Sequence, residues 1–199
     1  MRVALAAALL VGASACSIAP QDSPQALDPP TDVSSPGTDQ SGPATSAERV
    51  ELRATVYLVS DADALVAVVR PIPVDGAADE QLAAVLASVV DGPSDDDAGE
   101  GLRSAVPPTT SVRSVVVDGS VATVDLSSDF ASIGGPEELL AVGQFVLTAT
   151  TFPGVRALQL RLEGAPIDIP LPDGALTDEP VTLGQFSALL GSGADEGTG

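Results

Sequence analysis

The stretch that decides the fold is residues 115–155, which read VVVDGSVATVDLSSDFASIGGPEELLAVGQFVLTATTFPGV. It opens with an apolar run at 115–117 and continues with Asp118-Gly119, a pair typical of tight turns because glycine tolerates the positive φ that such turns need. Residues 121–126 then alternate between apolar and polar side chains, which places the apolar ones on one face. This pattern predicts a β-hairpin. The inward residues of its second strand are expected to be Ala122, Val124 and Leu126.

The second half of the same stretch predicts a helix. Gly134-Gly135 interrupts the regular secondary structure, and Pro136 suits the first position of a helix. Two glutamates follow, where they complement the positive end of the helix dipole. Phe152-Pro153-Gly154 ends the pattern. Between these signals, residues recur at the spacing of one helix face, namely Leu139, Leu140, Gly143, Val146, Leu147 and Thr150. A buried strand pair with a helix folded onto it is the core of a small α/β or α+β domain.

Upstream, the chain predicts another hairpin followed by a helix. Residues 51–60 alternate, and residues 64–70 form a second strand, which Pro71 and Pro73 are expected to end because proline withholds a ladder donor. Residues 77–90 have the pattern of a helix with acidic residues in its first turn. Its apolar face is expected to consist of Leu82, Val85, Leu86 and Val89.

The remaining segments complete the order ββα-ββα-ββ. Residues 94–110 have the composition of a solvated loop, and residues 155–163 predict a strand. A turn at Glu163-Gly164 leads to residues 165–171, which are expected to pair back, and residues 182–190 predict a short helical turn. This order predicts an α+β (α/β) fold with a mixed, largely antiparallel sheet and two helices on one face.

The charge balance excludes several classes of function. The chain has 8 basic residues, all of them arginine, against 28 acidic residues and no histidine, for a formal charge of −20. Nucleic acid needs clustered Lys and Arg, so we expect no nucleic-acid partner and no electrostatic docking on anionic lipid or wall polymer. The expected domain also has no His, Lys or free Cys, which are common general bases and nucleophiles. We therefore expect no enzyme and no cofactor.

Residues 1–15 have the pattern of a lipoprotein signal peptide. Arg2 provides a positive charge, residues 3–11 form an apolar run too short to span a bilayer, and small residues precede Cys16, the only cysteine. We expect lipid on Cys16 to anchor the exported chain at the outer face of the cytoplasmic membrane of a bacterium, Gram-positive or actinobacterial. The alternative is an ordinary secretory signal in which Cys16 is incidental.

Two flanking segments are predicted to be disordered. Residues 16–47 are rich in Pro, Ser, Thr, Asp and Gln, a composition that cannot bury enough surface to offset chain entropy. We expect a tether there, with a glycosylated stalk as the alternative. The folded domain is expected over residues 48–191, followed by an acidic tail at 192–199.

Several pieces of the chain together resemble the GerMN domain of sporulation and spore germination proteins. These pieces include GSVATVDLSSDF at 119–130, EELLAVGQFVLTATTFPGV at 137–155, and a strand that ends in Glu163-Gly164. Val56-Tyr57-Leu58 and the Asp91-Gly92-Pro93 that closes the first helix are similar as well.

The resemblance covers roughly residues 52–190 and implies a setting rather than a reaction. It implies an envelope-associated protein, often a lipoprotein, that takes part in peptidoglycan remodelling, sporulation or germination. It also implies a fold like that of the ring-building modules of spore secretion assemblies. It provides no catalytic residues to carry over.

Two hypotheses of function belong to different classes. The first is a membrane-anchored envelope lipoprotein whose non-catalytic domain binds an envelope protein or peptidoglycan. The second is a carboxylate-dependent cell-wall hydrolase, with Asp125 and Asp129 as the acid pair. A sugar cleft favours aromatic side chains, yet the chain has no Trp and one Tyr. Under the non-catalytic hypothesis Asp125 faces solvent, and Ser127, Ser128 and Asp129 form a turn by bonding their own backbone.

Self-assembly and metal binding are further hypotheses. Rings or dimers would have to overcome the formal charge of −20, which favours a basic or neutral partner, and the sequence leaves the oligomeric state open. Asp95–Asp97 and Glu100 are candidates for calcium. Their consecutive spacing differs from the alternate ligands of an EF-hand loop, so we predict no structural metal.

Overall fold

The computed structural model describes residues 51–191. In chain order these residues form β1 (Glu51–Val59), β2 (Leu65–Pro73), α1 (Ala78–Asp91), α2 (Asp95–Gly99), β3 (Val112–Asp118), β4 (Val121–Leu126), α3 (Pro136–Thr151), β5 (Ala157–Leu162), β6 (Ala165–Pro166), β7 (Ile169–Pro170), β8 (Leu176–Thr177), β9 (Val181–Thr182) and α4 (Leu183–Phe186). No helix in this part of the chain is long and apolar enough to span a bilayer. The predicted signal peptide, Cys16, the tether and the acidic tail lie outside the described residues.

The strands form a mixed five-stranded sheet and two separate pairs. In the large sheet β3 pairs antiparallel with β4, β4 pairs parallel with β5, and β6 and β9 both pair with β5. β1 pairs only with β2 and β7 only with β8 among the described strands. The mixed character is confirmed, whereas the prediction of a single sheet is wrong.

The hairpin of β3 and β4 is confirmed. Asp118 pairs with Val121, so the two-residue turn consists of Gly119, at φ 59°, and Ser120. Val116 of β3 is 56% exposed, because its side chain lies on the face of the sheet opposite to the one that α1 covers. The predicted inward residues of β4 are all completely buried, namely Ala122, Val124 and Leu126.

α3 begins and ends where predicted but is buried far more widely. Pro136 lies in its first turn and the backbone leaves the helix at Phe152. Residues 140–149 are all buried, so the prediction of a single buried face is incomplete. The reason is that α3 packs against β1, β5, α1 and α4 together.

α3 takes the place beside β1 that a further strand would occupy. The main-chain N–H of Tyr57 donates to Thr148 Oγ1 at 3.0 Å, and Gln144 Nε2 donates to the Tyr57 carbonyl at 2.9 Å. Gln144 Oε1 also accepts from the N–H of Ala105 at 2.7 Å. Both helix side chains are completely buried. They replace strand hydrogen bonds with side-chain bonds, and this separates the first hairpin from the large sheet.

α1 matches its prediction closely. It packs against β3 and β1, and its buried residues belong to the same core as those of β4 and α3. Gly92 follows it at φ 81°, a conformation that favours glycine and ends the helix. Its buried residues are the predicted Leu82, Val85, Leu86 and Val89.

The prediction that Pro71 and Pro73 end the second strand is wrong, since β2 runs through both. Tyr57 of β1 directs its main-chain groups at α3, away from β2. In an antiparallel pair, successive residues alternately bond to the partner strand and point away from it. Pro71 and Pro73 are an even number of residues from Ala67, the partner of Tyr57, so their nitrogens also point away from β1, on the outer edge of β2. Proline is tolerated at such positions.

The prediction of one strand over residues 165–171 is also wrong. The chain turns at Glu163-Gly164 as predicted, but only Ala165–Pro166 pairs back with β5. The strand that begins at Ile169 pairs with β8 instead. The rest of that side of β5 is taken by β9, which pairs with Ala157 and Leu158, so residues 167–171 cannot continue the ladder there.

The acidic run is not a solvated loop throughout. Asp95–Gly99 forms α2, with Ser94 as its N-cap, and the Asp97 side chain is only 14% exposed. The Asp97 carboxylate accepts from the N–H and the hydroxyl of Ser94 and pairs with Arg70 at 2.5 Å. These hydrogen bonds from Ser94, with a smaller effect of Arg70, lower the pKa of Asp97.

Candidate functional site

Asp125 is held by structural partners. Its Oδ1 accepts from the N–H of Gly164 at 2.7 Å, and its Oδ2 lies 3.3 Å from Arg113 Nε. Arg113 also pairs with Glu163, whose other oxygen accepts from the N–H of Ser128 at 3.0 Å. Asp125 is 14% exposed, so the prediction that it faces open solvent is wrong. Its carboxylate fixes the turn after β5 to β4.

Asp129 lies just beyond β4, as predicted, in a 3₁₀ turn. Its Oδ2 accepts from the hydroxyl of Ser127 at 3.1 Å. The same hydroxyl accepts from the N–H of Ser111 at 3.0 Å, so these side chains join the start of β3 to the end of β4 rather than closing only a local turn. The structure thus gives Asp125 and Asp129 separate structural partners.

Metal ligands do not converge in the described residues. No three His, Cys, Asp or Glu side chains within 51–191 form a group that could hold an ion. The acidic residue of α2 that is least exposed, Asp97, pairs with Arg70.

A groove of about 430 Å³ lies between α1 and the start of β3. α1 contributes small side chains to it, because Ala83, Ala84 and Ala87 follow one another at helical spacing and are half-buried. Val90 and Asp91 line one end, and the other wall is formed by Thr110, Ser111 and Val112. The alanines leave room that larger side chains would fill.

Thr110 gives the groove a polar group without a partner. Only 4% of the residue is exposed, and its Oγ1 has no hydrogen-bond partner among the described residues. A buried hydroxyl normally finds a donor or acceptor, since leaving it unpaired costs about 1–3 kcal/mol. The hydroxyl oxygen itself is inaccessible to solvent, so this unsatisfied group lies within the wall of the groove and not on its open surface.

The open edge of β3 also presents main-chain hydrogen-bonding groups that no strand within residues 51–191 pairs with. Asp118 and Val121 close a two-residue turn and so form a hydrogen-bonded pair, and the pairing alternates from there. The main-chain groups of Val117 and Val115 therefore point away from β4. No strand within residues 51–191 pairs with that side of β3. β3 contains no proline that would block one.

β2 also has an open side, but that side is protected. Pro71 and Pro73 remove donors from it, and the carbonyl of Leu65 already accepts from the N–H of Gly191 at 3.0 Å. Proline on an edge strand is a common way to prevent pairing with another chain. β3 therefore differs from β2 in that no proline protects its open side.

The charges around the groove are negative. Asp91 is its only charged lining residue within the described chain, and Asp118 stands exposed at the far end of β3. Arg113, the cation of β3, is paired with two carboxylates. Arg103 donates a hydrogen bond to Glu137, and this bond raises the pKa of Arg103. Arg103 does not line the groove.

Two other cavities lack these features. One of about 140 Å³ lies where β1 meets the end of α3, beside Thr55 and Thr151. Another of about 380 Å³ lies between Leu171 and Gln185. Neither is lined by a buried polar side chain without a partner in the described chain.

Sequence reasoning missed the residues that matter most here. Gln144 and Thr148 lie four apart in an otherwise apolar helix, a signal that could have identified buried hydrogen-bonding positions. The helical pattern of α1 includes Ala83, Ala84 and Ala87. Whether these small side chains leave a groove depends on which strand lies opposite them. The open side of β3 follows from the strand order alone.

The described residues form a small α+β domain with a buried central helix. A family model described as "Sporulation and spore germination" (Germane) matches residues 55–168. That match spans more than half of the chain, so the chain belongs to this family of GerMN domains, as the resemblance implied.

Solved structures agree on the fold. The "First GerMN domain of the sporulation protein GerM from Bacillus subtilis" has 22% identity and a TM-score of 0.53, with 67% of this chain and 97% of that chain covered. The "Tandem GerMN domains of the sporulation protein GerM from Bacillus subtilis" has 21% identity and a TM-score of 0.54, with 67% of this chain covered. This chain spans only 46% of that tandem structure. No curated protein matches the sequence.

Proposed function

We propose that this protein is an exported lipoprotein with a non-catalytic GerMN domain that binds a partner in the cell envelope. Lipid on Cys16 would hold it at the outer face of the cytoplasmic membrane. The apolar run and the small residues before the single cysteine support this anchoring. Its relatives are described as sporulation proteins, which supports a role in peptidoglycan remodelling, sporulation or germination.

One observation supports binding rather than catalysis. The carboxylates of the candidate acid pair already have structural partners, while the edge of β3 and the hydroxyl of Thr110 have none within residues 51–191. Unmet hydrogen-bonding groups beside an apolar groove are what a binding surface provides. A hydrolase would instead need a carboxyl free to transfer a proton.

Anchoring is tested by metabolic labelling with a clickable palmitate analogue and by membrane fractionation. We expect the full chain to carry label and to sediment with membranes, and Cys16→Ser to lose both properties. An unlabelled wild-type chain found in the medium would overturn the anchoring and favour an ordinary secretory signal.

Binding is tested by exposing the full chain in parallel to detergent-solubilised envelope proteins and to purified peptidoglycan. We expect a specific protein partner. Retention on peptidoglycan alone would move the function to wall recognition. Release of soluble fragments from peptidoglycan, abolished by Asp125→Asn, would overturn the non-catalytic proposal.

A further inference from the structure

We infer that the groove between α1 and β3 accepts an extended, basic segment of a partner protein, which adds as a strand to the open edge of β3. The inference rests on the proposed binding function and names its site and the chemistry of its partner. Two observations carry it, namely the unpaired edge of β3 and the carboxylate of Asp91 at one end of the groove.

The edge of β3 sets the main-chain contacts. The N–H and C=O groups of Val115 and Val117 point outward and match the hydrogen-bond spacing of an added strand. Val116 between them is 56% exposed and lies on the face of the sheet away from α1. An extended segment can therefore pair with two successive outward residues without moving β3 from β4.

The groove sets the side chains that the segment can carry. In an added strand, every second side chain points toward α1, where Ala83, Ala84 and Ala87 form the wall. A volume of about 430 Å³ suits two or three small or branched aliphatic side chains.

Charge selects the flanks of the segment. Asp91 lines one end of the groove and Asp118 stands exposed at the end of β3. The whole chain carries a formal charge of −20 and contains no lysine, so a second copy would bring further negative charge to an acidic rim. Lys or Arg on both sides of an aliphatic core fits the site, and an acidic or self-derived segment does not.

A display library of random linear peptides about ten residues long, selected on the immobilised full chain, tests the site. Val117→Pro removes an outward N–H while leaving the ladder to β4 intact, because this nitrogen does not bond to β4. Val69→Pro is the control on β2, since the nitrogen of Val69 also points outward; Val69 is 59% exposed, whereas Val117 is half-buried. We expect Val117→Pro to weaken the selected peptides roughly tenfold or more, and Val69→Pro to leave them unchanged.

A second pair of variants keeps the test valid if Val117→Pro does not fold. Ala87→Lys fills the groove and adds a positive charge, and Ala78→Lys makes the same change at the exposed start of α1, outside the groove. Lysine is well tolerated in helices. We expect only Ala87→Lys to abolish binding, and only wild type and the controls to protect the amides of Val115 and Val117 from hydrogen exchange when peptide is bound.

Any of three results with the peptides would overturn the inference. They are the absence of any enriched peptide, enrichment of acidic peptides, or equal loss of binding in the groove variants and their controls. An envelope partner that binds the full chain but is indifferent to Val117→Pro and Ala87→Lys would also overturn it, while the proposed binding function would stand. Failure of the proposed function itself would appear instead as no envelope partner at all.

Discussion

Gln144 is the residue through which three segments of the fold are joined, and Gln144→Leu tests that role. Its amide donates to the carbonyl of Tyr57 and accepts from the N–H of Ala105, both in buried surroundings. Leucine has a similar volume but can make neither bond, so one acceptor and one donor lose their partner. Each loss costs about 1–3 kcal/mol, and the apolar side chain recovers part of it. We expect the free energy of unfolding to fall by about 2–4 kcal/mol.

Urea denaturation followed by circular dichroism measures this change, and hydrogen exchange of the Ala105 amide localises it. Gln81→Leu is the control, because Gln81 makes only one local bond, to the Gly76 carbonyl, at the surface. It should change stability by less than about 1 kcal/mol. A Gln144→Leu chain as stable as the control, with an equally protected Ala105 amide, would refute the reasoning about α3 and β1.

Three further changes test separate contacts. Thr148→Val keeps the side-chain shape but leaves the N–H of Tyr57 without its acceptor, so unfolding should become about 1–3 kcal/mol easier in urea; no change would deny that bond. Asp97 has a lowered pKa and therefore adds stability above about pH 3.9 that is lost as the pH falls through its folded pKa. Thermal scans at decreasing pH should show a smaller loss for Asp97→Asn, and parallel curves would contradict the pairing. Phe186→Ala empties a completely buried site and should cost about 3–5 kcal/mol, against a smaller cost for the partly exposed Leu183→Ala.

The elements that follow from local pattern could be predicted from the sequence. The hairpin around Gly119 is recognisable because turn chemistry and alternation agree, and α1 and α3 are recognisable because their caps and periodicity agree. The prediction that β2 ends before Pro71 and Pro73 is wrong because proline ends a strand only where its nitrogen faces a partner strand. That orientation depends on the position of α3, which no local pattern contains.

The candidate site follows even less from the sequence. Asp125 and Asp129 are candidates from the sequence because they are acidic residues near a strand end. Their partners, however, come from the segment around β3 and from the turn after β5. The parallel pairing of β4 with β5 leaves β3 at the edge, and the position of α1 beside β3 opens the groove. Both are long-range facts of topology, whereas alanine spacing on a helix is compatible with full burial.

In-cell photo-crosslinking tests the central claim, that the groove is where the envelope partner binds. A photo-reactive amino acid in place of Ala87 lines the groove, and the same amino acid in place of Val69 is the control on the edge protected by proline. We expect one defined adduct from position 87, none from position 69, and loss of the adduct when Val117→Pro is added. Adducts of equal yield from both positions, or an adduct that Val117→Pro does not diminish, would contradict the claim.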